Sequence, residues 1–482
     1  MVNKQEIKER LKESLGQSLQ QVIGLLEKHQ LVESLVQKQD MPKHELVESL
    51  VHKQNLNSLQ KKLDALHPAD VAFILEALPL EPRLKVWELV KAERDGEILL
   101  EVSDSVRQSL IADMDSNELL AAAEQLDTDE LADLAPDLPK DVLQDLMDSL
   151  DTLNRERLQS ALSYPDDAVG ALMDFDIVTI REDITLEVAL RYLRRLGSLP
   201  DHTDKIFVVD RNDTLLGVLP LKRMVVNDLN ANVADVMAKD AVVFNPEELA
   251  YEAANAFERY DLVTAPVVDK NSKLIGRITV DAVIDFNREE AESDMFSMAG
   301  LREEEDFFAS VWKSVQNRWA WLAVNLITAL VASRVIGLFE GSIEKIVALA
   351  ALMPIVAGIG GNSGNQTTTM IVRGLALGQI SAHNMQSLIK KELGVSLLNG
   401  LIWGGVLGLI ATVLYGNYQL GLVMMSAMTV NLLLAAVMGV MIPLVMTKFG
   451  RDPAVGSSVL ITAMTDSGGF FIFLGLATLF LI

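Results

Sequence analysis

Asp466 is the residue whose chemistry most needs a reason. It stands alone in a long apolar run from Pro453 to Ile482, which contains no Lys, Arg or His. An ionised carboxylate near the centre of a membrane helix costs about 2.5–3.5 kcal/mol on insertion scales. Either a passing cation uses the charge, or the acid is protonated and hydrogen-bonded to a neighbouring helix. The surrounding residues favour the cation. Thr462 lies one turn before Asp466, so both can face one channel, and Ser458 adds a hydroxyl in the same segment. A second polar set sits in the run Met353 to Thr369, where Pro354 frees a backbone carbonyl and Asn362, Asn365 and Gln366 offer amide oxygens. Oxygen ligands suit a hard cation or its water shell. The glycines of that run, Gly358, Gly360, Gly361 and Gly364, permit local unwinding, tolerated at membrane depth only beside protein or a wet cavity. They also permit a small-residue packing face. Packing alone does not call for three amides. Asn362, Asn365, Gln366, Ser458 and Thr462 are therefore expected to line a pore with Asp466.

The elements that would carry these groups are long apolar segments. Five reach the roughly 20 residues needed to span a bilayer: about 319–339, 346–371, 394–414, 421–446 and 454–481. Basic loops (Arg373, Lys390, Lys391; then Lys448, Arg451) alternate with non-basic ones. The positive-inside rule then puts the N-terminus in the cytoplasm and the C-terminus outside. Charge is strongly segregated. Of 42 Lys/Arg and 67 Asp/Glu, eight and five lie from Arg318 onward, leaving 34 bases and 62 acids in residues 1–317. The first part carries −28 and the second +3. Such acidity repels nucleic acid, which is bound through basic phosphate contacts, and attracts cations. The chain has no Cys, so disulfides and thiolate metal sites are excluded, and any bound metal should be a hard one held by oxygen. The charged N-terminus does not read as a signal peptide.

Residues 165–290 contain an internal repeat. The run Phe207 to Gly217 matches Pro266 to Gly276, and the run Met173 to Ala189 matches Met237 to Ala253 in spacing. Each unit reads as strand, helix, strand, Asp/Asn turn, strand, helix, and the pair resembles tandem CBS domains. Such pairs often sense adenine nucleotides. Here Gly276 and Thr279 are followed by Ala282 where a ribose-binding Asp would stand, so an ATP site is not expected. Residues 1–160 read as short stacked helices punctuated by Pro and Asp, a small superhelical domain. Leu31 to Gln39 nearly repeats as Leu46 to Gln54. A helix over 281–301 carries Asp281, Asp285 and Glu289 four residues apart, an arrangement that is repulsive unless solvated or bridged by divalent ions.

This arrangement resembles the MgtE family of magnesium channels from about residue 60 onward. The most specific motifs are Gly360-Gly-Asn-Ser-Gly-Asn-Gln366 and Asp452-Pro-Ala with Asp466. The resemblance implies a multidomain membrane protein: an N-terminal extension (1–30), an all-α superhelical acidic domain (31–162), an α/β tandem CBS pair (163–228 and 229–287), a connecting helix (288–317) and a five-helix transmembrane domain (318–482). It implies a homodimer in a bacterial-type inner or plasma membrane that imports Mg2+ without enzymatic chemistry. No Walker-type phosphate loop is present. It places the transmembrane Mg2+ site at Asp466, which two-fold symmetry would double. Regulatory Mg2+ ligands fall on Glu97, Asp129, Asp133, Asp261, Asp285, Glu290 and Asp294, with Asp452 at the inner mouth. Ala282 and Ser293 replace acids found in relatives, and Ser458-Val459 stands where some have Asn-Pro. Mn2+ and Co2+ are not separated from Mg2+ by these residues. An ion-coupled transporter of another divalent cation and a membrane-anchored magnesium sensor are the other classes open at this point.

Overall fold

The computed structural model describes residues 15–26, 56–301, 306–376, 379–380 and 384–482, and it divides into two compact units. The near-repeat at 31–39 and 46–54 lies outside the described residues. The first unit holds the chain up to Arg288 together with Asp306–Ala309; the second holds Glu289–Glu305 and Ser310–Ile482.

The first unit begins with short helices, among them Pro68–Glu76, Leu80–Trp87, Asp104–Ile111, Ser116–Ala123 and Thr152–Ala161. Their starts follow from local chemistry. Asp115 accepts from the backbone N–H groups of Asn117 and Glu118, while Glu118 accepts from that of Asp115, a reciprocal cap. A 24-residue period is visible at Arg83, Arg107 and Arg155. Each arginine Nε donates to the carbonyl eight residues back: Leu75 at 2.8 Å, Leu99 at 2.7 Å and Met147 at 2.6 Å. Each Nη2 reaches the carbonyl five back, on Leu78, Val102 and Leu150. The arginines thus add donors to carbonyls at helix ends, where the intrahelical ladder runs out. Leu131 holds the third place in the series and belongs to the buried apolar core.

Arg83 is fully buried and pairs bidentately with Asp306 at 2.6 and 3.0 Å. Asp306 lies four residues before Ser310, the N-cap of the first long apolar helix. Removing one partner of such a pair strands a buried charge. Asp306→Ala should therefore destabilise the first unit by about 3–5 kcal/mol. Denaturation of the purified protein checks this; an unchanged midpoint would show that the pair contributes nothing.

The CBS repeat is realised as two small sheets. In the first, β1 (Thr179–Arg181) runs parallel to β2 (Lys205–Val209), which pairs antiparallel with β3 (Leu215–Pro220); in the second, β4 (Thr264–Val268) and β5 (Leu274–Thr279) are antiparallel. The β2–β3 and β4–β5 turns are built alike. Asp210 accepts from the backbone of Asn212 and Thr214, and Asp269 from that of Asn271 and Lys273. Asp213 and Ser272 take the same left-handed conformation, at φ 63° and 61°. β5 leads directly into the helix Val280–Ala299, within which the boundary between the two units falls.

The second unit contains five long helices, here termed spans: Val311–Gly337, Ala348–Ala376, Met385–Tyr415, Tyr418–Lys448 and Ser457–Leu481. The first, third, fourth and fifth are long and apolar enough to cross a membrane. The second is as long but is diluted by its Gly, Asn and Thr residues, and it packs against the fourth and fifth. The sequence suggested unwinding near Pro354 and the glycine run. Instead the helix is continuous through both.

Candidate functional site

The second span's glycines are contact points. A Cβ on Gly360 would collide with the Asn431 side chain of the fourth span, one on Gly364 with Ile461 of the fifth, and one on Gly361 would touch Thr465 Oγ1 at 3.5 Å. The packing alternative thus holds for these three residues. The amides behave differently. Asn362 and Gln366 are exposed, and Asn365 is half-buried with its Oδ1 unpaired. Close glycine packing on one side leaves Asn362 and Gln366 on the other.

On the fifth span Asp466 follows Thr465, which is fully buried and faces Gly361 of the second span. Asp466 itself is half-buried. Among the described residues, no Lys, Arg or His lies within ion-pair distance of it, and no hydrogen bond reaches its carboxyl. Thr462 is exposed and Ser458 half-buried. Asp452, just before this span, accepts from the backbone of Ala454 at 2.8 Å. Its charge, after burial, pushes the Asp294 carboxyl above the ordinary range. These two predicted acids of the second unit are therefore electrostatic neighbours.

In the first unit, acids gather where the helical domain meets the segment leading into the CBS pair. Burial, then the charge of Asp174, pushes Asp129 up to about 7. Burial, then Asp176 and Asp201, raises Asp127, and Glu130 is raised mainly by burial. Away from that patch, burial and then Glu118 push Asp95 up to about 6. Asp174 has a close countercharge: Arg277 grips its Oδ2 through Nη2 at 2.6 Å and Nε at 2.7 Å. The repeat that carries Asp127, Asp129 and Glu130 is the one with Leu131 in the arginine's place. Glu97, Asp133, Asp261 and Asp285 are exposed, and Asp261 caps its helix at φ 51°. Glu290 is also exposed, on the helix Val280–Ala299. Among the described residues, no three acids converge closely enough to hold a metal ion.

The pH dependence has a definite sign. Asp129 binds its proton more tightly folded than unfolded. The stability this contributes is complete below about pH 4, the ordinary carboxylate range, and is lost as pH rises through about 7. A cation needing the ionised carboxylate competes with that proton. Its affinity should fall about tenfold per pH unit below 7. Divalent-ion titration of the protein from pH 5 to 8 checks this; a flat profile would exclude Asp129 as a ligand.

Sequence reasoning missed Asn431 and the three arginines. Asn431 is a lone amide in an apolar helix, and the arginines share a period that Leu131 interrupts.

Comparison with known proteins adds the following. Residues 353–476 match the MgtE divalent cation transporter family, 66–167 the MgtE intracellular N domain, and 169–227 and 233–289 the CBS domain. The magnesium transporter MgtE of Bacillus subtilis is 27% identical over 426 residues, 88% of this chain and 94% of that one. The magnesium transporter MgtE of Thermus thermophilus is 30% identical over 433 residues, 88% and 95% of the two chains. A crystal structure of the cytosolic domain of the Mg2+ channel MgtE in complex with ATP aligns with 50% of this chain and 98% of that one, at 30% identity and a TM-score of 0.45.

Proposed function

The chain belongs to the MgtE family of divalent cation transporters, and from that premise we propose that it is a homodimeric channel importing Mg2+ and closed by Mg2+ inside the cell. One observation carries the reading: Asp466 is half-buried in an apolar span with no partner among the described residues. A mobile cation relieves that charge without a permanent counterion.

Two copies would bring two Asp466 carboxylates to one axis. Mg2+ dehydrates reluctantly and keeps several waters. The hydrated ion presents only hydrogen-bond donors, and Asp466, Thr462, Asn362, Asn365 and Gln366 present acceptor oxygens. The first span, which exposes Trp312, Trp319, Leu322 and Leu326, supplies apolar surface for lipid or a second subunit. An inside-negative potential of 100 mV favours entry by about 4.6 kcal/mol per Mg2+, at ~2.3 per charge, so no ATP chemistry is needed. The cytosolic domains lie inside and the C-terminus outside.

The regulatory acids fit a divalent cation in chemistry. They are oxygen donors, and burial and mutual repulsion raise several of them. Glu97, Asp129, Asp133, Asp261, Asp285, Glu290, Asp294 and Asp452 would hold such ions. Bound Mg2+ would offset repulsion among neighbouring acids. Without it the acids repel one another and favour spread arrangements of their elements; the closed arrangement must bind the ion better than the open one. The helix Val280–Ala299 carries Asp285, Glu290 and Asp294 and continues the chain from β5 towards the spans.

Expression in bacteria deprived of their own Mg2+ uptake tests the assignment. The chain should restore growth at low external Mg2+, and dissipating the membrane potential should abolish the rescue. Rescue that survives without a potential would point to ion-coupled transport instead.

A further inference from the structure

The buried stripe of the fourth span reads Met424, Ala427, Met428, Asn431, Ala435, Gly439 and is apolar or small except at Asn431. Asn431 is fully buried. Its Nδ2 donates to the carbonyl of Val356 on the second span at 2.9 Å, while its Oδ1 has no partner. Both neighbouring spans are trimmed to glycine where they meet it. A Cβ on Gly360 would collide with the amide, and one on Gly469 would lie 2.8 Å from Nδ2 and 3.1 Å from Oδ1. Gly469 is one turn beyond Asp466. Gly361, next to Gly360, receives Thr465, which adjoins Asp466. One amide therefore fixes the spacing of three helices at the turn that carries the acid.

Packing alone does not explain the choice. An apolar residue like its stripe neighbours would fill the space without a buried unpaired oxygen, and such an oxygen is costly. We propose that Asn431 is a positioning residue for ion permeation: it sets the height and distance of the Asp466 turn against the amide-bearing second span. Substitutions at Asn431 should change how tightly the pathway binds Mg2+ rather than only how much protein folds. The inference rests on the reading of Asp466 as the pathway's acid.

The test is Mg2+ flux through purified protein in liposomes for Asn431→Ala, Gly469→Ala and the double variant, with thermal melting in detergent alongside. Asn431→Ala should raise the half-saturating Mg2+ concentration roughly threefold to twentyfold, the range of one interhelical polar contact, with melting little changed. Gly469→Ala should be the more damaging single change, because its methyl meets the amide. Removing the amide makes room, so Asn431→Ala should partly rescue Gly469→Ala. Wild-type half-saturation in Asn431→Ala, or purely additive losses in the double variant, would overturn the proposal. So would a loss of flux matched by an equal loss of folded protein. Asp466→Asn in the same assay separates the two readings: normal flux there sinks the pathway assignment itself, whereas abolished flux beside a normal Asn431→Ala sinks only this inference.

Discussion

Asp466→Asn should reduce Mg2+ flux by on the order of a hundredfold or more, with the protein still folded and inserted. The substitution keeps shape and hydrogen-bonding capacity and removes only charge. At an effective dielectric near 20, a carboxylate and a divalent ion about 5 Å apart attract by several kcal/mol. Losing even about 2.7 kcal/mol of that attraction accounts for a hundredfold. No basic residue depends on Asp466 among the described residues, so the variant strands no partner charge. The exchange should even ease insertion, because an amide costs less in hydrocarbon than a carboxylate. Flux with a Mg2+-sensitive dye, normalised to inserted protein, is the measurement. Undiminished flux would leave the acid without a role in permeation.

The second large effect concerns closure. Replacing Asp129, Asp133 and Asp285 together with Asn should raise the internal Mg2+ concentration needed for half-closure at least about tenfold, a change of ~1.4 kcal/mol in coupling. Asp129 contributes most, since its carboxyl is raised to about 7 by burial and by Asp174 and so gains most from a countercharge. The triple variant should also lose the acid-induced weakening of Mg2+ binding, because the titrating group is gone. Flux recorded against internal Mg2+ decides the matter: normal closure in the triple variant would remove these acids from the gating account.

Much of this architecture was legible in the sequence. Asp466 announces itself because the one charge in a thirty-residue, largely apolar run needs a reason. The CBS pair is visible because Asp210 and Asp269 make the same local turn, and Asx turns depend on short-range chemistry alone. Helix ends were less legible. The third span starts at Met385 rather than near 394, since Lys390, Lys391 and Glu392 are good helix formers whose charge hides the helix from a hydropathy reading. The second span's glycines were ambiguous because a missing Cβ serves unwinding and close packing equally well; only Asn431, Ile461 and Thr465 on other helices decide between them. The Arg83–Asp306 pair spans 223 positions and leaves no local trace. The acid patch is a tertiary feature too. Asp129 becomes unusual only in the folded chain, where burial and then Asp174 raise it.

The most direct measurement is Mg2+ entry into liposomes holding only the purified chain, with the interior made negative by a potassium diffusion potential. Entry should be rapid, should need no Na+ or H+ gradient, should grow with the imposed potential and should vanish in Asp466→Asn. If the vesicles stay free of Mg2+, or fill only when a coupling ion gradient is supplied, this chain is not a pore in which a lone carboxylate draws a divalent ion through.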